Sequence, residues 1–189
     1  MDSEQTRARL KTLLHDRALI RESVVLASGK RSSYYWDARQ VLLDPEGAAL
    51  AGRLGYEQLR AFGPLAVGGP TSAADPFICA ITAAAFAAGD HWTGFFVRKE
   101  AKKYGLQNWI EGPFIEEGTP VVVVDDTMTT GGSVLLAIEK ARAAGAQVVA
   151  AMVVIDREEG GRENVEQVLG GAPFMSLFTA ADIMGDTAQ

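Results

Sequence analysis

An α/β fold with a mainly parallel central sheet flanked by helices is what this 189-residue sequence predicts, on three observations. Apolar strand-like runs alternate with helical patterns along the chain. The strongest run, Val121-Val122-Val123-Val124, is apolar at consecutive positions, as a strand buried on both faces of a parallel sheet is. Polar or glycine-rich segments then fall just after the strands, at 68–75, 125–133 and 156–157. Those are the carboxyl ends, where such sheets hold ligands at the point of strand-order reversal.

The elements follow from local signals. Leu10, Leu13 and Leu14 make a helical stripe near the N-terminus. Asp44 before Pro45 reads as an N-cap and first-turn pair, opening a helix that Gly63-Pro64 stops. A strand is expected over 65–67, a helix over 72–88 and strands over 93–97 and 121–124. Ser133 is placed to cap a helix running to 144, with Gly145 just past its end, before a strand over 148–155.

Composition narrows the function. Hydrophobic residues are 48% and charged residues 22%, ordinary globular usage, so one domain over 1–189 is expected. A net charge of -6 argues against a general nucleic-acid or membrane binder, and any anionic ligand needs a local basic cluster. Cys79 is the single cysteine, so no internal disulfide forms; its apolar surroundings suggest a buried thiol. The N-terminal residues lack the apolar core of a signal peptide, and the longest apolar stretch, 77–88, is too short to span a bilayer. A cytoplasmic location is expected. His15 and His91 have no ligand-like spacing.

The segment Val121-Val122-Val123-Val124-Asp125-Asp126-Thr127-Met128-Thr129-Thr130-Gly131-Gly132-Ser133 carries most of the functional signal. Backbone N–H groups of its glycine-rich turn, with those of the helix start, form an anion cradle. The two carboxylates cannot hold that anion, because like charges repel. They fit a ligand with both phosphate and neutral hydroxyls, such as a ribose phosphate. Taken singly, Asp-Asp ends many strands and Gly-Gly makes many turns; the ordered combination is the specific part. No Gly-Lys-Ser/Thr follows, so this is not a P-loop, and no G-x-G-x-x-G dinucleotide fingerprint is present.

A second segment, Phe95-Phe96-Val97-Arg98-Lys99-Glu100-Ala101-Lys102-Lys103-Tyr104-Gly105, begins as a strand and places four cations within six residues. A charge run also suits a solvated face. In an acidic chain it can instead neutralise a diphosphate, and glycines at 94, 105 and 112 leave the segment loop-like and movable.

The acid pair and turn resemble the 5-phosphoribosyl 1-diphosphate (PRPP) signature of type I phosphoribosyltransferases. Arg98-Lys99-Glu100-Ala101-Lys102, followed by Asn108-Trp109-Ile110-Glu111-Gly112, is similar to the catalytic loop of orotate phosphoribosyltransferases. Leu26-Ala27-Ser28-Gly29-Lys30-Arg31-Ser32-Ser33-Tyr34-Tyr35-Trp36-Asp37 resembles that family's N-terminal segment. Ala66-Val67-Gly68-Gly69-Pro70-Thr71-Ser72-Ala73-Ala74-Asp75-Pro76 resembles its diphosphate loop, and Ile155-Asp156-Arg157-Glu158-Glu159-Gly160-Gly161 the segment with its orotate-binding arginine. The matches run in the expected order over about residues 24–165.

The resemblance implies the type I phosphoribosyltransferase fold, with a small N-terminal hood over residues 1–40 and a mobile catalytic loop. It implies transfer of the phosphoribosyl group from PRPP to N1 of orotate, giving orotidine 5′-monophosphate, with Mg²⁺ as cofactor. Arg98, Lys99, Lys102 and Lys103 would bind the diphosphate, Lys102 acting beside the departing oxygen. Asp125, Asp126, Thr127, Met128, Thr129, Thr130, Gly131, Gly132 and Ser133 would hold the ribose and its 5-phosphate. Asp125 would meet Mg²⁺ through water. Arg157 would pair with the orotate carboxylate, Thr129 and Lys30 would lie near the base, and Tyr35 and Trp36 would flank it. The aromatic run equally suits core packing, and Lys30 a solvated surface position. The family's loop reaches into a neighbouring subunit, which implies a homodimer. Ala73 and Tyr104 stand where many members carry cations, and Ala27 where a lysine is often found. A transferase for another base, or a non-catalytic PRPP-sensing regulator, is the alternative.

Overall fold

A computed structural model describes residues 1–21, 24–25, 31–32, 34–100, 109–113 and 115–185. Helix α1 (Ser3–Leu13) opens on a capping box between Asp2 and Gln5 and ends in a π-turn, Leu14–Ala18. Its stripe Leu10, Leu13 and Leu14 is buried, as the spacing predicts. Two small antiparallel ladders follow: β1 (Leu19–Ile20) with β4 (Tyr35–Trp36), and β2 (Val24–Val25) with β3 (Arg31–Ser32). After the short α2 (Arg39–Leu42), α3 (Pro45–Leu59) is capped by Asp44, whose Oδ1 accepts from the N–H groups of Glu46 and Gly47. A 3-10 turn, Arg60–Phe62, closes on Gly63 in the left-handed region at φ 59°.

Then come β5 (Ala66–Pro70), α4 (Asp75–Ala87), β6 (Thr93–Val97), β7 (Ile110–Glu111), β8 (Pro120–Met128), α5 (Gly132–Ala143), β9 (Gln147–Asp156), α6 (Gly161–Leu169), β10 (Phe174–Thr179) and α7 (Ala180–Met184). The main sheet has the order β10-β9-β8-β5-β6-β7, parallel except at the β7 edge. The chain passes from β5 out to β6 and β7, then returns to β8 on the other side of β5. Strand order therefore reverses between β5 and β8.

The valine run shows why this sheet is sandwiched. Val122 and Val124 join one core with α3 and α4 residues such as Leu54, Phe77 and Ile81. Val121 and Val123 join another with Val134, Ile138 and Val165 from α5 and α6. All four are fully buried, because successive strand residues face opposite layers.

Several expectations are corrected. The strand placed at 65–67 runs on through Gly68, Gly69 and Pro70. Helix α4 starts at Asp75 rather than Ser72, since residues 71–74 form the turn off that strand. Strand β8 continues through the acid pair to Met128. Gly131, not Ser133, is the N-cap of α5, and Ser133 lies within the first turn. Cys79 is exposed: α4 buries Phe77, Ile78, Ile81 and Ala85, which turns residue 79 outward. Gly145 does follow α5 in a positive-φ conformation, at 91°. Among the described residues, no helix is long and apolar enough to cross a membrane.

Candidate active site

The carboxyl end of β8 lies at the strand-order reversal. Asp125 and Asp126 are 4% and 8% exposed. As neighbours on a strand they face opposite sides. Asp125 borders an open cavity of about 150 Å³ that is also lined by Thr127–Val134. The N–H of Asp126 donates to Asp125 Oδ1 at 2.9 Å, and that of Thr127 to Asp126 Oδ1 at 2.7 Å. Burial pushes the Asp125 carboxyl well above the usual carboxylate range, Asp126 pushes it further, and Lys99 pulls it back. Burial also raises Asp126, opposed by the Thr127 N–H and by Arg39.

The cradle follows. Gly131 has φ 85°, which L side chains rarely adopt. A Cβ there would sit 3.0 Å from Val165 Cγ2 and 3.2 Å from the Gly161 carbonyl. Asn164 Nδ2 donates to the Thr130 carbonyl at 3.1 Å, so α6 buttresses the turn. The opening N–H groups of α5 thus face the cavity that Asp125 borders.

Parallel register supplies the next group. Met128 pairs with Asp156, and the N–H of Arg157 donates to the Met128 carbonyl at 2.9 Å. This ladder sets Arg157 beside Thr129, although 28 residues separate them in sequence (157 minus 129). The Arg157 side chain is 4% exposed, pairs with Glu159 Oε1 at 2.7 Å and lies under the Tyr34 ring, 5.5 Å from its centroid. Asp156, 1% exposed, stiffens the turn by accepting from the Glu158 N–H at 2.9 Å and pairing with Arg162 at 3.3 Å.

The aromatic expectation changes accordingly. Trp36 is 2% exposed and belongs to the core, while Tyr35 is 37% exposed on the other side of the strand. The ring over Arg157 is Tyr34, edge-on to Trp36 at 6.4 Å. Sequence reasoning passed over Tyr34; alternation along β4 was the available signal, since residues 34 and 36 share a side.

The cations sit at the sheet edge. Arg98 follows β6; its N–H donates to the Trp109 carbonyl at 2.8 Å and its Nη1 lies 2.6 Å from Glu111 Oε1. Both flanks of the 101–108 segment are thereby joined, and Lys140 lies 4.2 Å from the Trp109 ring. Arg98 and Lys99 border an open depression of about 420 Å³ together with Thr71, Ser72 and Glu100. Gly69 lets β5 approach β8 there, since a Cβ would collide with the Val124 carbonyl. Lys30, Lys102 and Lys103 lie outside the described residues. No cluster of three or more His, Cys, Asp or Glu among the described residues could hold a metal.

Comparison with known proteins identifies the family. Residues 69–172 match the phosphoribosyl transferase domain family. The chain is 42% identical over 159 residues to the orotate phosphoribosyltransferase of Aquifex aeolicus (strain VF5), covering 84% of this chain and 85% of that protein. It belongs to the orotate phosphoribosyltransferase family. Two crystal structures of the Mycobacterium tuberculosis H37Rv orotate phosphoribosyltransferase share its fold. One, in complex with Fe(III) dicitrate, has TM-score 0.83 and 37% identity over 94% of this chain and 98% of the other. The second, in complex with PRPP, has TM-score 0.79 and 35% identity over 95% and 99%.

Proposed function

We propose that the protein transfers the 5-phosphoribosyl group of PRPP to N1 of orotate, releasing diphosphate and orotidine 5′-monophosphate. The observation that carries this reading is the β8–β9 register. It sets a buried arginine, able to take a planar carboxylate, beside an acid pair and an anion cradle. The relatives support the reading, since they are named for this reaction and one was crystallised with PRPP.

In this mechanism residues 127–133 donate to the 5-phosphate, Asp125 and Asp126 accept from the ribose hydroxyls, and Arg157 fixes the base with Tyr34 covering the guanidinium. Thr129 borders both ligands. The bond from C1 to diphosphate breaks ahead of N1 attack, so the protein's work is alignment and stabilisation of leaving-group charge. Arg98, Lys99, Lys102 and Lys103 meet that charge; Arg98 first has to leave Glu111.

The site fits a magnesium ion carried mainly by ligand oxygens. The buried Asp125 carboxyl, raised by desolvation and by Asp126, gains from a nearby cation, and the described residues build no three-ligand cage. Bound there through water to Asp125, Mg²⁺ would supply positive charge to the diphosphate.

The whole chain acts as one domain, with residues 1–40 as a hood over the base; Tyr34 over Arg157 supports this. Its active form is a homodimer in which the 98–112 segment serves the neighbour's site. The outward face of α4, with Cys79, Ala83, Phe86 and Ala87 exposed and no charge among them, suits such pairing. A lone cysteine fits a cytoplasmic enzyme.

The test is spectroscopic. Orotate absorbance should fall when the purified protein receives both PRPP and Mg²⁺, and uracil or adenine in its place should not be consumed. Absence of orotate consumption, or preference for another base, would sink the reading.

A further inference from the structure

Two arginines of this chain hold carboxylates differently. Arg9 grips Glu46 with both nitrogens of one guanidinium edge, Nε at 2.7 Å and Nη2 at 2.9 Å. Arg157 uses the same edge by half. Its Nη2 lies 2.7 Å from Glu159 Oε1, while its buried Nε meets no acceptor among the described residues. A buried donor without a partner is costly, and a carboxylate engaging both N–H groups would recover that loss. The two partners also differ in freedom. Arg157, 4% exposed, is fixed by the Tyr34 ring and by its own N–H on the Met128 carbonyl. Glu159 is 37% exposed and stands just before Gly160, which has φ 84°. The arginine is held in place, and the acid is the partner able to swing away.

We propose that Glu159 is a stand-in carboxylate, neutralising Arg157 before the base arrives and exchanged for the carboxylate of the incoming base. The proposal rests on the assignment of Arg157 to the orotate carboxylate. Exchange keeps one anion on the buried cation in both states, so the guanidinium is never left uncompensated. Retaining Glu159 beside the substrate would instead crowd two anions onto one guanidinium. A base without a carboxylate does not compete for Arg157 and leaves the pair with Glu159 as it is. Glu159 is thus a positioning residue that acts through Arg157, and its effect falls on an acidic base alone.

Steady-state kinetics of Glu159→Gln and Glu159→Ala test the exchange. With the internal competitor gone, KM for orotate should fall about two- to fivefold, the scale of one half-exposed ion pair. The kcat, KM for PRPP and inhibition by uracil should stay as they were. In an Arg157→Ala background, Glu159→Gln should leave the orotate KM unchanged. An orotate KM that is unchanged or raised in Glu159→Gln alone overturns the exchange. If Arg157→Ala raises KM in that case, the carboxylate assignment survives. If Arg157→Ala itself leaves the orotate KM untouched, the assignment fails and the exchange with it.

Discussion

The carboxyl end of β8 and the cationic edge at β6–β7, proposed to serve opposite ends of PRPP, are built differently. At β8 the functional groups are part of the sheet. Asp125 and Asp126 are buried, their neighbours' N–H groups bond to them, and Gly131 fixes the turn through its backbone. At the edge, Arg98 is 40% exposed and its ion pair with Glu111 is one that solvent screens. A site that must recognise sugar and phosphate gains from preformed geometry. A site that must neutralise a leaving group and then release it gains from side chains at a sheet edge, where few contacts oppose movement.

The largest effect should come from the cationic segment that follows β6. Lys102→Ala should slow the chemical step by about 2.7–4 kcal/mol, the size of a lost transition-state donor. Single-turnover rates at saturating substrates check it, and near-normal turnover would break the division of labour. Next, Arg157→Ala should raise the orotate requirement by roughly 1.5–3 kcal/mol, the worth of a hydrogen bond to a charged group. A change confined to PRPP affinity would sharpen the comparison the other way, moving Arg157 out of the base site.

Gly131→Ala should destabilise the fold by roughly 1–2 kcal/mol, the cost of left-handed backbone for an L residue. Urea unfolding reads it directly. Unaltered stability would mean that the cradle is not set by backbone conformation.

Asp125→Asn should stabilise the ligand-free protein by about 0.5–2 kcal/mol at neutral pH while slowing turnover, as changes at strained functional sites do. The sign follows from burial, which raises this carboxyl in the folded state. Stability from such an acid is fully present below its unfolded pKa and is lost as pH rises through its folded pKa. The wild-type Tm should therefore drop relative to Asp125→Asn as pH climbs above the ordinary carboxylate range. Parallel Tm curves for the two proteins across that range would count against a destabilising buried charge.

Much of the fold was legible because its signals are local. Val121 to Val124 announced a doubly covered strand, Asp44-Pro45 a helix start and Gly145 a helix end. Helix α6 and strand β10 were not expected. The pattern Gly161, Val165, Leu169 is a single buried stripe on nine residues, and β10 is interrupted by Ser176. The end of β8 was misjudged because two acids look like a strand's finish, whereas ladder bonds to β9 carry the strand on to Met128. Cys79 was misjudged because α4 is apolar almost throughout, so composition could not say which face turns inward.

By itself the chain's order of residues determined the chemistry at the end of β8: acids, then hydroxyls, then a glycine turn, then a helix. These groups are neighbours along the backbone, so no distant contact is needed to bring them together. Tertiary structure decided what joins them. Parallel pairing of β8 with β9 delivers Arg157 to Thr129, the β1–β4 ladder seats Trp36 in the core with Tyr34 over the guanidinium, and a single oxygen of Glu159 half-fills the arginine's edge. Register and burial depend on which strands become neighbours, and that choice belongs to the packed sheet as a whole.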